Sequence, residues 1–227
     1  MTHLVPLSPL LFAPGDRLTR EEFLERWERM PDLKFAELID GVVYMPSPVS
    51  DLHSGHEGNF QLVLTNYALK TPVCEYRPGA TWIMLESAPQ PDLALFVLPA
   101  YGGRIRRVKS LLSGAPELVV EISRSSRSYD LGPKLALYQR AGVIEYAAAL
   151  VEEERIEWRR LEKGSYRLMS PSREGIYKSR AFPGLWLDSA AFWRGDKERL
   201  ANVLEQGLNS EEHAQFLEKL RRKTSST

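Results

Sequence analysis

One short segment near the middle of the chain limits the folds that the protein can adopt. Leu118-Val119-Val120-Glu121-Ile122 is almost wholly apolar, as expected of a strand that is buried on both faces of a sheet. The segment also contains Glu121, and an unpaired carboxylate in an apolar setting costs several kcal/mol. It therefore predicts a central strand of an α/β fold, with a carboxylate that needs a partner.

Other segments predict the elements around this strand. Thr19-Arg20-Glu21-Glu22 has the form of a capping box and begins a short helix, and Asp40-Gly41 between apolar residues predicts a hairpin turn. A second helix is predicted over residues 56–69. Asp130 is predicted to cap a third helix ending at Arg140, with Pro133 in its first turn. Further strands are predicted at 73–76, 80–85, 93–98, 143–151, 155–161 and 166–169, the last two joined by a turn at Lys163-Gly164.

Length and pattern predict one large domain with appendages. Of the 227 residues, we assign 1–18 to an N-terminal arm, 19–188 to the main domain and 189–227 to a C-terminal helical extension. Apolar residues recur at helical spacing in that extension, with charged residues between them. A mixed central sheet flanked by helices, with this extension, is the expected architecture.

Composition narrows the class of protein. Thirty Lys and Arg offset thirty Asp and Glu, so any nucleic-acid partner must be bound by a local basic patch. Cys74 is the only cysteine, which excludes an internal disulfide and fits a reducing compartment. Prolines interrupt the apolar N-terminus, which lacks the basic start of a signal peptide, and no stretch is apolar enough to span a bilayer. We expect a cytoplasmic protein without a membrane partner.

Two carboxylates are the strongest candidates for chemistry. Alone, Glu121 is best explained as the cap of an edge strand or the partner of an arginine. Asp92, however, opens another predicted strand directly after Pro91. Carboxylates at adjacent strand ends repel each other unless a cation lies between them, and oxygen ligands suit magnesium or manganese. Lys134 follows in the predicted third helix, either as an exposed lysine of the first turn or aimed at the same site.

The order and spacing of these residues resemble the Uma-two family of restriction-endonuclease-like proteins, which belongs to the PD-(D/E)xK nuclease superfamily. The resemblance covers about residues 35–190. It rests on these matching segments: Glu37-Leu38-Ile39-Asp40-Gly41, His53, Pro91-Asp92, Glu121-Ile122-Ser123, and Asp130-x-x-x-Lys134-x-x-x-Tyr138-x-x-Ala141-Gly142-x-x-Glu145-Tyr146.

The resemblance implies a metal-dependent endonuclease that hydrolyses phosphodiester bonds of nucleic acid. Asp92 and Glu121 would ligate Mg or Mn, with Glu37 completing the site, and Lys134 would assist catalysis. The usual position of the superfamily lysine is occupied by Ser123, so the lysine is expected on the following helix. His53 is a candidate for substrate binding or for support of the metal ligands.

A cluster of basic residues is the candidate for holding the nucleic acid. It comprises Arg104, Arg106, Arg107 and Lys109, with Arg124 and Arg127 shortly after Glu121. DNA is the expected partner, RNA stays open, and a homodimer is an expectation. Two rival functions remain: a catalytically silent DNA-binding or mobile-element-associated protein on the same fold, and an assembly protein acting through its C-terminal helices.

Overall fold

The computed structural model describes residues 11–45 and 51–224. Part of the predicted arm (1–10) and of the loop before the second helix (46–50), together with 225–227, lie outside the described residues. The helices are α1 (Arg20–Glu28), α2 (Asp51–Lys70), α3 (Arg127–Tyr129), α4 (Leu135–Ala141), α5 (Ser189–Arg194), α6 (Lys197–Leu208) and α7 (Glu211–Thr224). The strands are β1 (Glu37–Ile39), β2 (Val42–Tyr44), β3 (Cys74–Pro78), β4 (Trp82–Ile83), β5 (Leu93–Val97), β6 (Arg106–Val108), β7 (Leu111–Ser113), β8 (Leu118–Ser123), β9 (Glu145–Leu150), β10 (Arg155–Glu162), β11 (Ser165–Leu168), β12 (Ile176–Lys178) and β13 (Trp186–Asp188).

A six-stranded mixed sheet forms the centre of the fold, with the strand order β11-β10-β9-β8-β5-β3. Every neighbouring pair is antiparallel except β8 and β9, which are parallel because the helical segment from α3 to α4 crosses over between them. The apolar segment that contains Glu121 is thus a central strand, and all six residues of β8 are buried. The expected mixed sheet flanked by helices is confirmed.

The two faces of β8 pack against different layers. Leu118, Val120 and Ile122 belong to a hydrophobic cluster with α2 and the C-terminal helices. Val119 belongs to a second cluster, which contains Tyr138 of α4. Because side chains alternate along a strand, Glu121 lies on the same side as Val119 and faces the helix that carries Lys134.

The N-terminal elements surround a smaller cluster of their own. The predicted capping box is present, since the Thr19 and Glu22 side chains each accept a hydrogen bond from the other residue's amide. Asp40 and Gly41 both have positive φ, at 51° and 77°, which confirms the turn between β1 and β2. The hydrophobic residues buried in this cluster are Phe12, Phe23, Met30, Ala36, Leu38, Val43 and Ala88.

The C-terminal helices pack against α2 and the central sheet. The expected amphipathic helices are α6 and α7, preceded by the short α5. Leu200 and Leu204 of α6 and Leu220 of α7 share the hydrophobic cluster of Phe60 in α2 and Val120 in β8. These apolar faces are therefore buried within the fold.

The predicted third helix differs from expectation at its start. It begins at Arg127, and residues Asp130–Lys134 form a π-helical turn that continues into α4. Asp130 is not the N-cap, and Pro133 lies inside this turn instead of in the first one. The Asp130 carboxylate instead accepts hydrogen bonds from Ser123 and Ser126. The second helix also begins earlier than predicted, at Asp51, which places His53 in α2 and not in a loop.

Candidate active site

Asp92 and Glu121 meet across the β5–β8 pair. Leu93 pairs with Val120, so continuing this register by one residue places Asp92 opposite Glu121. The Ile122 amide donates to Asp92 Oδ2 at 2.7 Å, and the Asp92 amide lies 3.4 Å from Glu121 Oε2. The structure therefore brings together the two carboxylates that the sequence singled out.

The carboxylate pair has a buried side and an open side. The Glu121 side chain is 2% exposed, whereas that of Asp92 is 27% exposed. Burial raises the pKa of Asp92 to about 6, although Lys134 opposes the shift. Burial also raises the pKa of Glu121 well above its ordinary value; Lys134 opposes this, while the charge of Asp92 adds to it. Burial of both carboxylates, together with the repulsion of Glu121 by Asp92, therefore disfavours their ionised forms in the absence of a further cation.

Lys134 reaches this pair from the helical crossover. Its Nζ lies 2.7 Å from Glu121 Oε1 and 3.1 Å from Glu37 Oε1, and its side chain is 4% exposed. Desolvation lowers the pKa of Lys134, but Glu121 and Glu37 outweigh it and hold the pKa well above its ordinary value. The interpretation of Lys134 as an exposed first-turn lysine is wrong, because the lysine is a buried, charged partner of two carboxylates.

Tyr138 is a residue of the site that our sequence reasoning did not assign a role. Its hydroxyl donates to Glu121 Oε1 at 2.8 Å, and the side chain is fully buried. The spacing of Asp130, Lys134 and Tyr138 could have indicated that Tyr138 faces the same site as Lys134, because residues four apart lie on one face of a helix. π-helical turns are frequent at functional sites, and here the turn ends at Lys134.

Glu37 forms an ion pair with Lys134. Its Oε1 atom accepts from the Gln90 amide at 2.6 Å and contacts Lys134. The lysine ammonium therefore lies between Glu37 and Glu121. Within residues 11–45 and 51–224, no three acidic, histidine or cysteine side chains converge as a metal site. Glu37 as a third metal ligand beside Asp92 and Glu121 stays a prediction, and in this structure its carboxylate pairs with Lys134.

His53 and Ser123, the other two candidates, lie close to carboxylates but differ in their exposure to solvent. His53 Nε2 is 3.9 Å from Asp92 Oδ2 and 3.8 Å from Glu57 Oε2, with its side chain 18% exposed. Ser123 is buried, and its hydroxyl donates to Asp130 at 2.8 Å. His53 thus borders the open side of Asp92, whereas Ser123 is buried and its hydrogen bond supports the start of the helical crossover.

The candidate arginines do not all form a free basic surface. Arg104 donates to the Gly142 carbonyl and lies 3.5 Å from Glu117, and Arg124 pairs with Glu152 at 2.8 Å. Arg106 and Arg107 are exposed on β6, and neither forms an ion pair within the described part of the chain. Among the described residues, none of the four arginines pairs with Glu37, Asp92 or Glu121.

The chemistry of the Asp92 and Glu121 carboxylates suits a divalent cation, which would need further ligands besides these two side chains. Four carboxylates interact around the single charge of Lys134, namely Glu37, Asp92, Glu121 and Asp130. Carboxylate oxygens are the ligands that Mg²⁺ and Mn²⁺ prefer. A cation bound by Asp92 and Glu121 would offset the remaining negative charge and favour the ionised form of both groups.

Comparison with known proteins places this arrangement in a family. A model of the Uma2 family, described as "Putative restriction endonuclease", matches residues 20–190. The chain belongs to the Uma2 family. The resemblance found in the sequence is confirmed, and the matched range contains the whole carboxylate–lysine cluster.

A solved structure supports the fold of this Uma2 protein. It is similar to the crystal structure of a "putative nuclease belonging to DUF820" from Anabaena variabilis ATCC 29413, with a TM-score of 0.62 and 13% sequence identity. The alignment covers 78% of this chain and 98% of that chain. A search of curated proteins finds no match. Among the described residues, no helix is long and apolar enough to cross a membrane.

Proposed function

We propose that this Uma2 protein is a divalent-metal-dependent endonuclease that cleaves phosphodiester bonds in nucleic acid, DNA being the expected substrate. One observation carries the proposal: Asp92, directly before β5, lies beside Glu121 of the adjacent strand β8, with a buried lysine against Glu121. Membership of a restriction-endonuclease family agrees with it.

In this proposal, Asp92 and Glu121 hold Mg²⁺ or Mn²⁺ at the open side of the pair. When bound, such a cation supplies charge stabilisation at a phosphate and lowers the pKa of a coordinated water. Two neighbouring groups of the chain bear on this binding position. The Ile122 amide orients Asp92 through its hydrogen bond to Oδ2. His53 borders Asp92 and is a candidate for contact with the substrate.

Lys134 contributes as a fixed positive charge. Its pKa lies well above the ordinary value because Glu121 and Glu37 outweigh its desolvation, so it stays protonated at neutral pH. A protonated lysine cannot accept a proton from water. Its proposed role is to hold Glu121 and to favour negative charge that develops on the phosphate nearby.

The test combines cleavage with metal binding. We expect purified protein to nick supercoiled plasmid with Mn²⁺ or Mg²⁺ and to stop in EDTA, with the activity following the protein peak through purification. Glu121→Gln should lose both nicking and calorimetric Mn²⁺ binding. Glu117→Gln is the matched control, because Glu117 is also buried but pairs with Arg104 and accepts from the Val97 amide.

The outcomes separate the rival functions. Equal Mn²⁺ affinity in Glu121→Gln and the unaltered protein contradicts the metal site. Binding of DNA without cleavage under any divalent metal favours a catalytically silent DNA-binding protein. Absence of both metal and nucleic-acid binding favours an assembly role of the C-terminal helices.

A further inference from the structure

We propose that Tyr138 is a positioning residue that determines which oxygen of Glu121 is presented to the metal. This inference rests on the proposed function and deepens it. The tyrosine itself touches neither metal nor substrate, and it acts only through the Glu121 carboxylate.

The contacts of the two Glu121 oxygens differ. Oε1 accepts from the Tyr138 hydroxyl at 2.8 Å and from Lys134 at 2.7 Å. Oε2 lies 3.4 Å from the Asp92 amide, on the side of the second carboxylate. Oε1 thus has two short contacts, whereas Oε2 accepts one long hydrogen bond, so Oε2 is the atom more available to a cation that Asp92 also binds. The helix thus fixes the rotation of the carboxylate.

Tyr138 can hold this position because its own place is fixed. The ring is fully buried in the cluster between the sheet and α4, and its centroid lies 5.5 Å from that of Tyr146. Lys134 alone restrains Glu121 less, because its ammonium is shared with Glu37. Groups that hydrogen-bond to metal ligands orient them, and their loss commonly costs tenfold to hundredfold in metal affinity.

The experiment removes only the hydroxyl, with a matched control beside it. Tyr138→Phe keeps the buried ring and deletes the hydrogen bond to Glu121. Tyr146→Phe deletes a neighbouring buried hydroxyl that donates to the Asp130 backbone carbonyl at 3.0 Å and forms no hydrogen bond with a carboxylate of the described residues. Calorimetric titration with Mn²⁺ gives the affinity, and the melting temperature with and without Mn²⁺ gives an independent readout.

We expect both variants to melt somewhat below the unaltered protein in EDTA. Only Tyr138→Phe should bind Mn²⁺ more weakly, by about tenfold or more, and show a smaller Mn²⁺-induced rise in melting temperature. Equal Mn²⁺ affinity in the two tyrosine variants overturns the positioning role while leaving the metal site intact. Failure of the unaltered protein to bind Mn²⁺, or unchanged binding in Glu121→Gln, overturns the proposed function itself.

Discussion

Replacement of Lys134 by methionine is the sharpest test of the buried ion pairs. Methionine keeps an unbranched side chain of similar length and removes the charge. The ammonium lies 2.7 Å from Glu121 and 3.1 Å from Glu37. Its removal leaves two carboxylates in a site where the lysine was 4% exposed.

The magnitude follows from these distances. With an effective dielectric constant of about 20, each contact contributes a gross attraction of roughly 5–6 kcal/mol. The desolvation of the lysine opposes this attraction by several kcal/mol, and in the variant the unpaired carboxylates respond by taking up protons. Removal of one partner of a buried pair typically costs about 3–5 kcal/mol, and we expect a loss of that size for Lys134→Met at pH 7.

Equilibrium unfolding in urea measures the loss, with Lys109→Met as the matched control. Lys109 also pairs with a glutamate, at 3.4 Å, but its side chain is 80% exposed. Its replacement should therefore change the free energy of unfolding by no more than about 1 kcal/mol. Lys134→Met should regain part of its stability as the pH falls from 7 to 5, because the unpaired carboxylates then become neutral in the folded state. If the free energy of unfolding falls by an equally small amount in both variants, Lys134 is not a buried charge that pairs with Glu121 and Glu37.

Two further predictions concern nucleic-acid binding and pH. Replacing Arg106 and Arg107 with Ala should reduce the slope of log affinity against log salt concentration by about 2 for duplex DNA. Arg124→Ala is the control and should change the slope little, because Arg124 is paired with Glu152. Fluorescence anisotropy measures these slopes, and equal slopes in all three proteins contradict the assignment of Arg106 and Arg107 to DNA binding. Because burial raises the pKa of Asp92 to about 6 from an ordinary 3.8, the folded protein binds this proton more tightly than the unfolded one. The contribution of Asp92 to stability therefore rises as the pH falls from 7 to 5. In EDTA, the melting temperature of the unaltered protein should rise over this pH range relative to that of Asp92→Asn. Identical pH profiles of the two melting temperatures refute this prediction.

Local features of the sequence were sufficient for much of the fold. Asp40-Gly41 and Lys163-Gly164 both adopt positive φ, as the turn chemistry requires. The apolar run at β8 forms a central strand that is buried along its whole length, as its nearly continuous apolar pattern predicted. These features depend on neighbouring residues alone, so pattern and composition determine them.

The helical crossover shows where local reasoning stops. Asp130 was a good N-cap by residue type, yet its carboxylate bonds to Ser123 at the end of β8 and to Ser126. The start of this helix and its π turn therefore depend partly on a strand already in place. Arg124 and Arg104 likewise looked free in the sequence but find Glu152 and Glu117 in the fold.

The sequence alone determined which residues could carry the chemistry: Asp92, Glu121 and Lys134 stand out by type, spacing and family resemblance. Only the tertiary structure decided how they meet. The register of β5 on β8 sets Asp92 opposite Glu121, and the crossover helix buries Lys134 between Glu121 and Glu37. Burial and the distances between distant residues determine the pKa values and the sign of each substitution's effect. Those quantities come from long-range packing, which no local pattern specifies.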